Sequence, residues 1–147
     1  MAEALKEARQ GLRMDEVPVG TVITFENKII ARAHNQIETL KDPTAHAEMI
    51  AITQAANTLS SKWLHDCTMY VTLEPCCMCA GALVLSRIKR IVIGTADPKS
   101  GACGSVFNIG QQAELNHKIE IEYVEDPTIY SELLKVFFKE KRKPRFE

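Results

Sequence analysis

The sequence lacks the features that mark a membrane protein, a secreted protein or a fibre. None of its 147 residues belongs to a run approaching the ~20 unbroken apolar residues that span a bilayer. The opening residues, Met-Ala-Glu-Ala-Leu-Lys-Glu-Ala-Arg, are charged throughout and lack the apolar stretch of a secretory leader. Internal repeats and low-complexity segments are also missing. We therefore expect a cytoplasmic protein with no membrane partner, folded as a single domain over residues 1–147.

An excess of charge of one sign is also missing. The chain has 18 Lys and Arg against 19 Asp and Glu, a net charge of −1, which argues against a polyanion-binding surface over the whole molecule. The balance nevertheless hides an asymmetry. Residues 1–134 carry 12 basic and 17 acidic groups, whereas residues 135–147 carry 6 basic and 2 acidic ones. The sequence thus predicts one local basic tail.

The apolar pattern predicts helices and strands in alternation after an opening hairpin. The predicted helices are one through Leu5, Ala8 and Leu12 and others over His46–Leu59, Cys76–Ser86 and Thr128–Lys143, and the predicted strands are Val17–Phe25, Lys28–Ala33, Met69–Leu73, Ile91–Gly94 and Ile119–Tyr123. This order predicts an α/β fold, a three-layer α-β-α domain with a mixed five-stranded sheet. In the last helix we expect Ile129, Leu133, Val136 and Phe137 to face the core, which leaves Phe138 exposed beside them.

The five cysteines form an odd set, and in a cytoplasmic chain they need an explanation other than disulfides. Cys67 and Cys103 we expect to be buried thiols. Cys76 and Cys79, three residues apart at a helix start, lie on one face of a first turn. With His46 at the start of another helix they supply one nitrogen and two sulfur ligands, a set suited to Zn²⁺ with a fourth position open.

Cys77 keeps two alternatives open. It is the only nearby candidate for a fourth ligand of a closed structural site, although it points roughly 100° around the helix from Cys76. It could also compete with Cys76 as the partner of Cys79. We prefer Cys76 with Cys79.

Glu48 gives the motif its chemistry. Two thiolates formally cancel the charge of Zn²⁺, so the ion acidifies its water less than a three-histidine site, where the pKa falls to ~7. A protein base is then required. Glu48, two residues after His46, can take a proton from water and pass it to a substrate nitrogen and a leaving amine, which is the chemistry of hydrolytic deamination.

Other readings of these residues fit less well. A thioredoxin-like redox pair has no need of His46 and Glu48, and a zinc ribbon needs a second Cys-x-x-Cys that the sequence does not contain. The long glycine-containing segment between Gly94 and Ile119 lacks the Gly-Lys-Ser/Thr ending of a phosphate-binding loop. A connection of this length usually has a function of its own.

The His-x-Glu and Pro-Cys-x-x-Cys pair is the zinc deaminase signature. Longer stretches between Glu16 and Arg142 resemble the tRNA-specific adenosine deaminases, which form inosine at the wobble position. These stretches are Glu16-Val17-Pro18-Val19-Gly20, Asn35, Asp42-Pro43-Thr44-Ala45-His46-Ala47-Glu48, Thr72-Leu73-Glu74-Pro75-Cys76-Cys77-Met78-Cys79-Ala80-Gly81-Ala82 and Lys99-Ser100-Gly101-Ala102-Cys103-Gly104-Ser105.

The resemblance implies a cytidine-deaminase-like fold and a homodimer that acts on a tRNA anticodon stem-loop. It implies one Zn²⁺ per subunit on His46, Cys76 and Cys79, with Glu48 catalytic. The residues implied in substrate binding are Asn35, Ala47, Asp97, Lys99, Phe138 and Arg142.

Two other functions stay open at this point. One is a deaminase of a free nucleobase or nucleoside, such as guanine, cytosine or adenosine. Such enzymes close an aromatic C-terminal segment over the ligand, whereas residues 138–143 look open and basic, as suits a phosphate backbone. The other is a zinc-stabilised RNA-binding subunit without catalysis, for which Glu48 has no use.

Overall fold

The computed structural model describes residues 1–144. Its elements are α1 (Ala2–Arg13), β1 (Gly20–Phe25), β2 (Lys28–His34), α2 (Ile37–Leu40), α3 (Ala47–Leu59), β3 (Thr68–Leu73), α4 (Cys77–Leu85), β4 (Arg90–Thr95), a 3₁₀ turn (Ile109–Gln111), β5 (Glu120–Tyr123) and α5 (Thr128–Lys141). Of the helices, only α2 has no counterpart in the sequence prediction. In the described part of the chain, no helix has the length and apolarity needed to cross a membrane.

The five strands form one mixed sheet in the order β2-β1-β3-β4-β5, which confirms the predicted fold class. The β1 strand pairs antiparallel with β2 and β3, while β4 lies parallel between β3 and β5. Glu26 and Asn27 form the tight β1–β2 turn, and both have left-handed backbone angles (φ 49° and 62°). Such angles at both central residues match the twist of hairpin strands.

Helices α1 and α5 pack on one face of the sheet. A Cβ at Gly20 would lie 2.2 Å from backbone atoms of Ala4 and Ala8, so α1 touches β1 directly. A Cβ at Gly94 would lie 2.7 Å from the ring of Tyr130, which places α5 against β4. Both glycines are needed because helix and strand approach too closely for a side chain.

Helices α3 and α4 cover the opposite face. The main core contains apolar side chains from the sheet and from these two helices. Its strand residues include Ile23, Met69, Val71, Ile91 and Ile93, and its helix residues include Ala47, Ala51, Ala55, Ala80 and Leu83. The small alanines of α3 let this helix lie close to the sheet. Helices on both faces make the predicted three layers.

The predicted core stripe of α5 is wrong in part. Ile129 and Val136 are 46% and 52% exposed, whereas Tyr130 and Phe137 are buried. The buried stripe starts at Tyr130, one residue later than predicted, because Tyr130 fills the space above Gly94, whereas Phe137 is buried as predicted. Phe138 is 44% exposed, as predicted.

One edge of the sheet collects the segments that carry the motifs. Strands β3 and β4 run parallel and end there at Leu73 and Thr95. Because β1 is antiparallel to both its neighbours, β2 also ends at this edge, at His34, and β1 begins there. Residues 17–19, 35–37, 74–76 and 96–100 therefore lie around one opening.

Candidate active site

Two helices begin at this opening, and each begins with a predicted metal ligand. His46 and Cys76 occupy the N-cap positions of α3 and α4, with extended backbone angles. Cys79 lies in the first turn of α4. The Nδ1 atom of His46 is 3.6 Å from Sγ of Cys76 and 3.5 Å from Sγ of Cys79. The structure thus brings the three predicted ligands together.

The spacing of these atoms fits a metal. All three ligand atoms lie within 4.8 Å of one another. Tetrahedral zinc, with Zn–S near 2.3 Å and Zn–N near 2.0–2.1 Å, sets nitrogen and sulfur about 3.5 Å apart. Cys77 is exposed and lies outside this group.

The surroundings of Cys76 favour a thiolate. The hydrogen bond with Cys79, and next the His46 ring, lower the pKa of Cys76 to about 4. The thiolate is the form of cysteine that binds metals.

Glu48 is 4% exposed and lies in the first turn of α3, where it faces the same opening. Burial is the main cause that raises its pKa above the usual range of a carboxyl group. A raised pKa makes this carboxylate a stronger proton acceptor than an ordinary glutamate, which suits general acid–base catalysis. Glu48 therefore has the position and environment of a general acid–base group beside the ligands.

A pocket of about 200 Å³ opens directly onto these groups. This volume lies below the ~300–1,000 Å³ of pockets for drug-sized ligands, so it suits a single ring system. Its polar wall includes Asn35, His46, Glu48 and Cys76, and its other residues are Val17, Val19, Ile37, Leu73, Glu74, Asp97 and Ser100.

Asn35 has two roles available. Its Oδ1 accepts a hydrogen bond of 2.8 Å from the backbone N–H of Ala47, which satisfies one free donor at the start of α3. Among the described residues, no acceptor forms a hydrogen bond with its Nδ2 group, and Asn35 lines the pocket. Ala47 itself is fully buried and does not line the pocket.

Asp97 shapes the mouth of the pocket. Its carboxylate accepts hydrogen bonds from the N–H groups of Lys99 (3.0 Å) and Ser100 (3.3 Å) and from the Ser100 hydroxyl (2.9 Å). These bonds close a turn, so the Asp97 side chain is occupied within its own loop. Lys99 is exposed and does not line the pocket.

A wider groove of about 840 Å³ begins where the pocket ends. Val17, Leu73, Asp97 and Ser100 line both. The groove brings together four of the predicted substrate residues, Asp97, Lys99, Phe138 and Arg142, and adds Lys135 and Lys139. Phe138 also borders a hollow of about 650 Å³ on its other side, which Val17 lines too.

Sequence reasoning gave no role to Val17, Lys135 or Glu74. Nothing in the spacing around Val17 or Lys135 pointed to the site. For Glu74 a signal was present in its position directly before Pro75 and the predicted ligand Cys76. A carboxylate so close to a buried site is costly to bury unless its hydrogen bonds are satisfied.

Comparisons with known proteins agree with this geometry. The family model of MafB19-like deaminases matches residues 1–142. The tRNA-specific adenosine deaminase of Aquifex aeolicus is 51% identical over 95% of this chain and 91% of its own length. That of Bacillus subtilis is 44% identical over 99% of this chain and 90% of its own length.

Solved structures extend the likeness to the fold. A tRNA:A34 deaminase superposes with a TM-score of 0.87 at 39% identity, covering 91% of this chain and 97% of that one. A guanine deaminase from Bacillus subtilis superposes with a TM-score of 0.63 at 30% identity, covering 99% and 94%. Identity over nearly full length, a shared sheet and the assembled His46, Glu48 and Cys76 motif lead to one conclusion: the chain belongs to the family of tRNA-specific adenosine deaminases.

Proposed function

We propose that this protein hydrolyses adenosine to inosine at the wobble position of a tRNA, in the cytoplasm, with one Zn²⁺ per subunit. The observation that carries the proposal is the continuity of the site. A pocket sized for one base is lined by His46, Cys76 and Glu48, with the Cys79 thiol beside His46 and Cys76, and it adjoins a basic groove of about 840 Å³ that can receive neighbouring nucleotides.

In this proposal His46, Cys76 and Cys79 hold the ion, which supplies a Lewis acid that acidifies water. Glu48 takes a proton from the attacking water and delivers it to a purine ring nitrogen. Glu48 then takes the proton of the hydroxyl group that water has added to the purine carbon and passes it to the departing amine. The carbon–nitrogen bond breaks as the hydroxyl becomes the carbonyl, so that adenosine and water become inosine and ammonia. The Nδ2 group of Asn35 is free to donate a hydrogen bond to the bound nucleoside.

The groove favours a polynucleotide over a free base. Four basic side chains, Lys99, Lys135, Lys139 and Arg142, line it, and the carboxylate of Asp97 is occupied by its own turn. Phe138 stands 44% exposed and packs edge-on against Phe137, with ring centroids 5.3 Å apart. An exposed aromatic ring between phosphate-binding cations is typical of single-stranded nucleic acid sites.

We also propose a homodimer, which the surface of α4 supports. Leu85 is 78% exposed, and one turn earlier a Cβ at Gly81 would meet nothing within 4 Å. Trp63 and Leu115, which are 44% and 41% exposed, line one hollow together with Leu85. Exposed apolar residues grouped in this way are typical of protein interfaces.

Deamination itself is tested with Glu48→Gln. The wild-type protein is expected to form inosine in an anticodon stem-loop with adenosine at the wobble position, and not to deaminate free adenosine, guanine or cytosine. Loss of the proton carrier should lower the rate at least ~10²–10⁴-fold, measured as inosine after nuclease digestion. Zinc content and circular dichroism should stay unchanged. Near-normal turnover by the variant would refute the role of Glu48.

The ligand set is tested by replacing each cysteine of the motif in turn. Cys76→Ala and Cys79→Ala should lose the zinc found by elemental analysis of protein prepared without chelator, because two ligands hold the ion poorly. Cys77→Ala is the matched control and should retain about one equivalent. Full retention by Cys79→Ala, or loss from Cys77→Ala alone, would contradict the assignment.

The role of the groove in RNA binding is tested by separating base stacking on Phe138 from the charge of Lys139. Phe138→Ala should weaken stem-loop binding by ~1–3 kcal/mol without changing its salt dependence. Lys139→Ala should instead reduce the slope of log K against log salt by up to ~1. Val136→Ala, an exposed change on the same helix outside the groove, serves as control. If Phe138→Ala and Lys139→Ala bind the stem-loop as tightly as Val136→Ala in a fluorescence titration, and with the same salt dependence, α5 does not contact the RNA.

The dimer is tested by sedimentation velocity. The apparent mass of the wild-type protein in sedimentation should be twice the 16.4 kDa of one chain. Leu85→Asp should shift it toward the monomer, since a charge in an apolar interface is costly. Leu40→Asp, at a leucine that is 57% exposed on α2, should leave the dimer intact. A wild-type monomer at micromolar concentration would overturn this part of the proposal.

A further inference from the structure

We propose that Glu74 is a positioning residue that fixes the 97–105 loop as one wall of the substrate pocket. Glu74 precedes Pro75 and the ligand Cys76, and its side chain is 2% exposed. The proposal rests on the proposed function, because it assigns a role in binding the same substrate. It concerns how the wall is held and assigns Glu74 no chemical step.

Both oxygens of the Glu74 carboxylate are used by the loop. Oε1 accepts a hydrogen bond of 3.1 Å from the N–H of Asp97 and another from the Ser105 hydroxyl. Oε2 accepts bonds from the N–H groups of Cys103 (2.9 Å) and Ser105 (3.2 Å). Four donors from three loop residues therefore converge on one carboxylate that comes from a different segment.

The loop wraps closely around this carboxylate. A Cβ at Gly101 would lie 2.3 Å from both the carboxyl carbon and Oε2 of Glu74, so only glycine fits there. The N–H of Ala102 also donates a hydrogen bond of 2.8 Å to the carbonyl of Pro75. The loop is thus fastened to the residues directly before the ligand helix α4.

A carboxylate suits this place better than any other side chain. It only accepts hydrogen bonds, and all four groups that face it are donors. The amide of glutamine would turn one acceptor into a donor that faces other donors, and would leave buried donors without a partner.

The positions of Asp97 and Ser100 follow from this anchor. Both residues line the pocket and the groove. Glu48 and His46 lie on α3, which receives none of the Glu74 bonds. Loosening the loop should therefore weaken substrate binding while leaving the chemical step largely intact, which appears as a raised KM with little change in kcat.

The test uses Glu74→Gln, Ser105→Ala and the double variant in the full chain. We expect the KM for the stem-loop to rise about tenfold in Glu74→Gln and less in Ser105→Ala, with kcat within about threefold and zinc retained. The effects should be non-additive in the double variant, since both changes break the same contact. Hydrogen exchange should show faster exchange at the N–H groups of Asp97, Cys103 and Ser105.

Thr21→Val is the matched control for a general loss of stability. Thr21 is fully buried, donates its hydroxyl to the carbonyl of Tyr70 (2.8 Å), and does not line the pocket. If Thr21→Val reproduces the KM change at an equal loss of Tm, or if Glu74→Gln leaves KM unchanged, the proposal is wrong. If Glu74→Gln does not fold, Ser105→Ala decides by the same criteria. A wild-type protein that makes no inosine refutes the function instead, and hydrogen exchange still decides the anchoring.

Discussion

The meeting of two helix starts at one sheet edge is the constraint on which the rest of the site depends. A helix N-terminus has free N–H donors and a partial positive charge, which stabilise anionic groups. Here the N-cap positions of α3 and α4 hold His46 and Cys76, and neither side chain caps its own helix. These positions hold two residues of the candidate metal site, and at α3 the missing cap is supplied by Asn35, which directly follows β2.

Buried carboxylates stabilise the loops around this centre. Glu16, which is 1% exposed, accepts hydrogen bonds from the N–H groups of Glu38 and Thr39 and from the Thr39 hydroxyl. It holds α2 much as Glu74 holds the loop after β4. Burying a charge is costly unless its hydrogen bonds are satisfied, and each of these carboxylates is satisfied by the segment it fixes.

The sequence predicted those features that depend on local patterns. Neighbouring residues were enough to predict the alternation of strands with helices and the helix starts at His46 and Cys76. They were also enough to pair the His-x-Glu motif with the Cys-x-x-Cys motif. Helix α2 was missed because Glu16, 22 residues earlier in the chain, holds its N–H groups. The phase of α5 was wrong because Tyr130 packs over Gly94, a contact between elements that no periodicity contains. The groove residue Lys135 was missed for the same reason.

Val17 stands at a junction, since it lines the base pocket, the basic groove and the hollow beyond Phe138. Among the described residues, Val17 is the one that lines all three spaces. A bulkier residue here narrows all three spaces together, and a smaller one widens them together. Variation at this position changes the pocket and the groove together, so the shapes of these two spaces are linked and cannot be tuned separately through Val17.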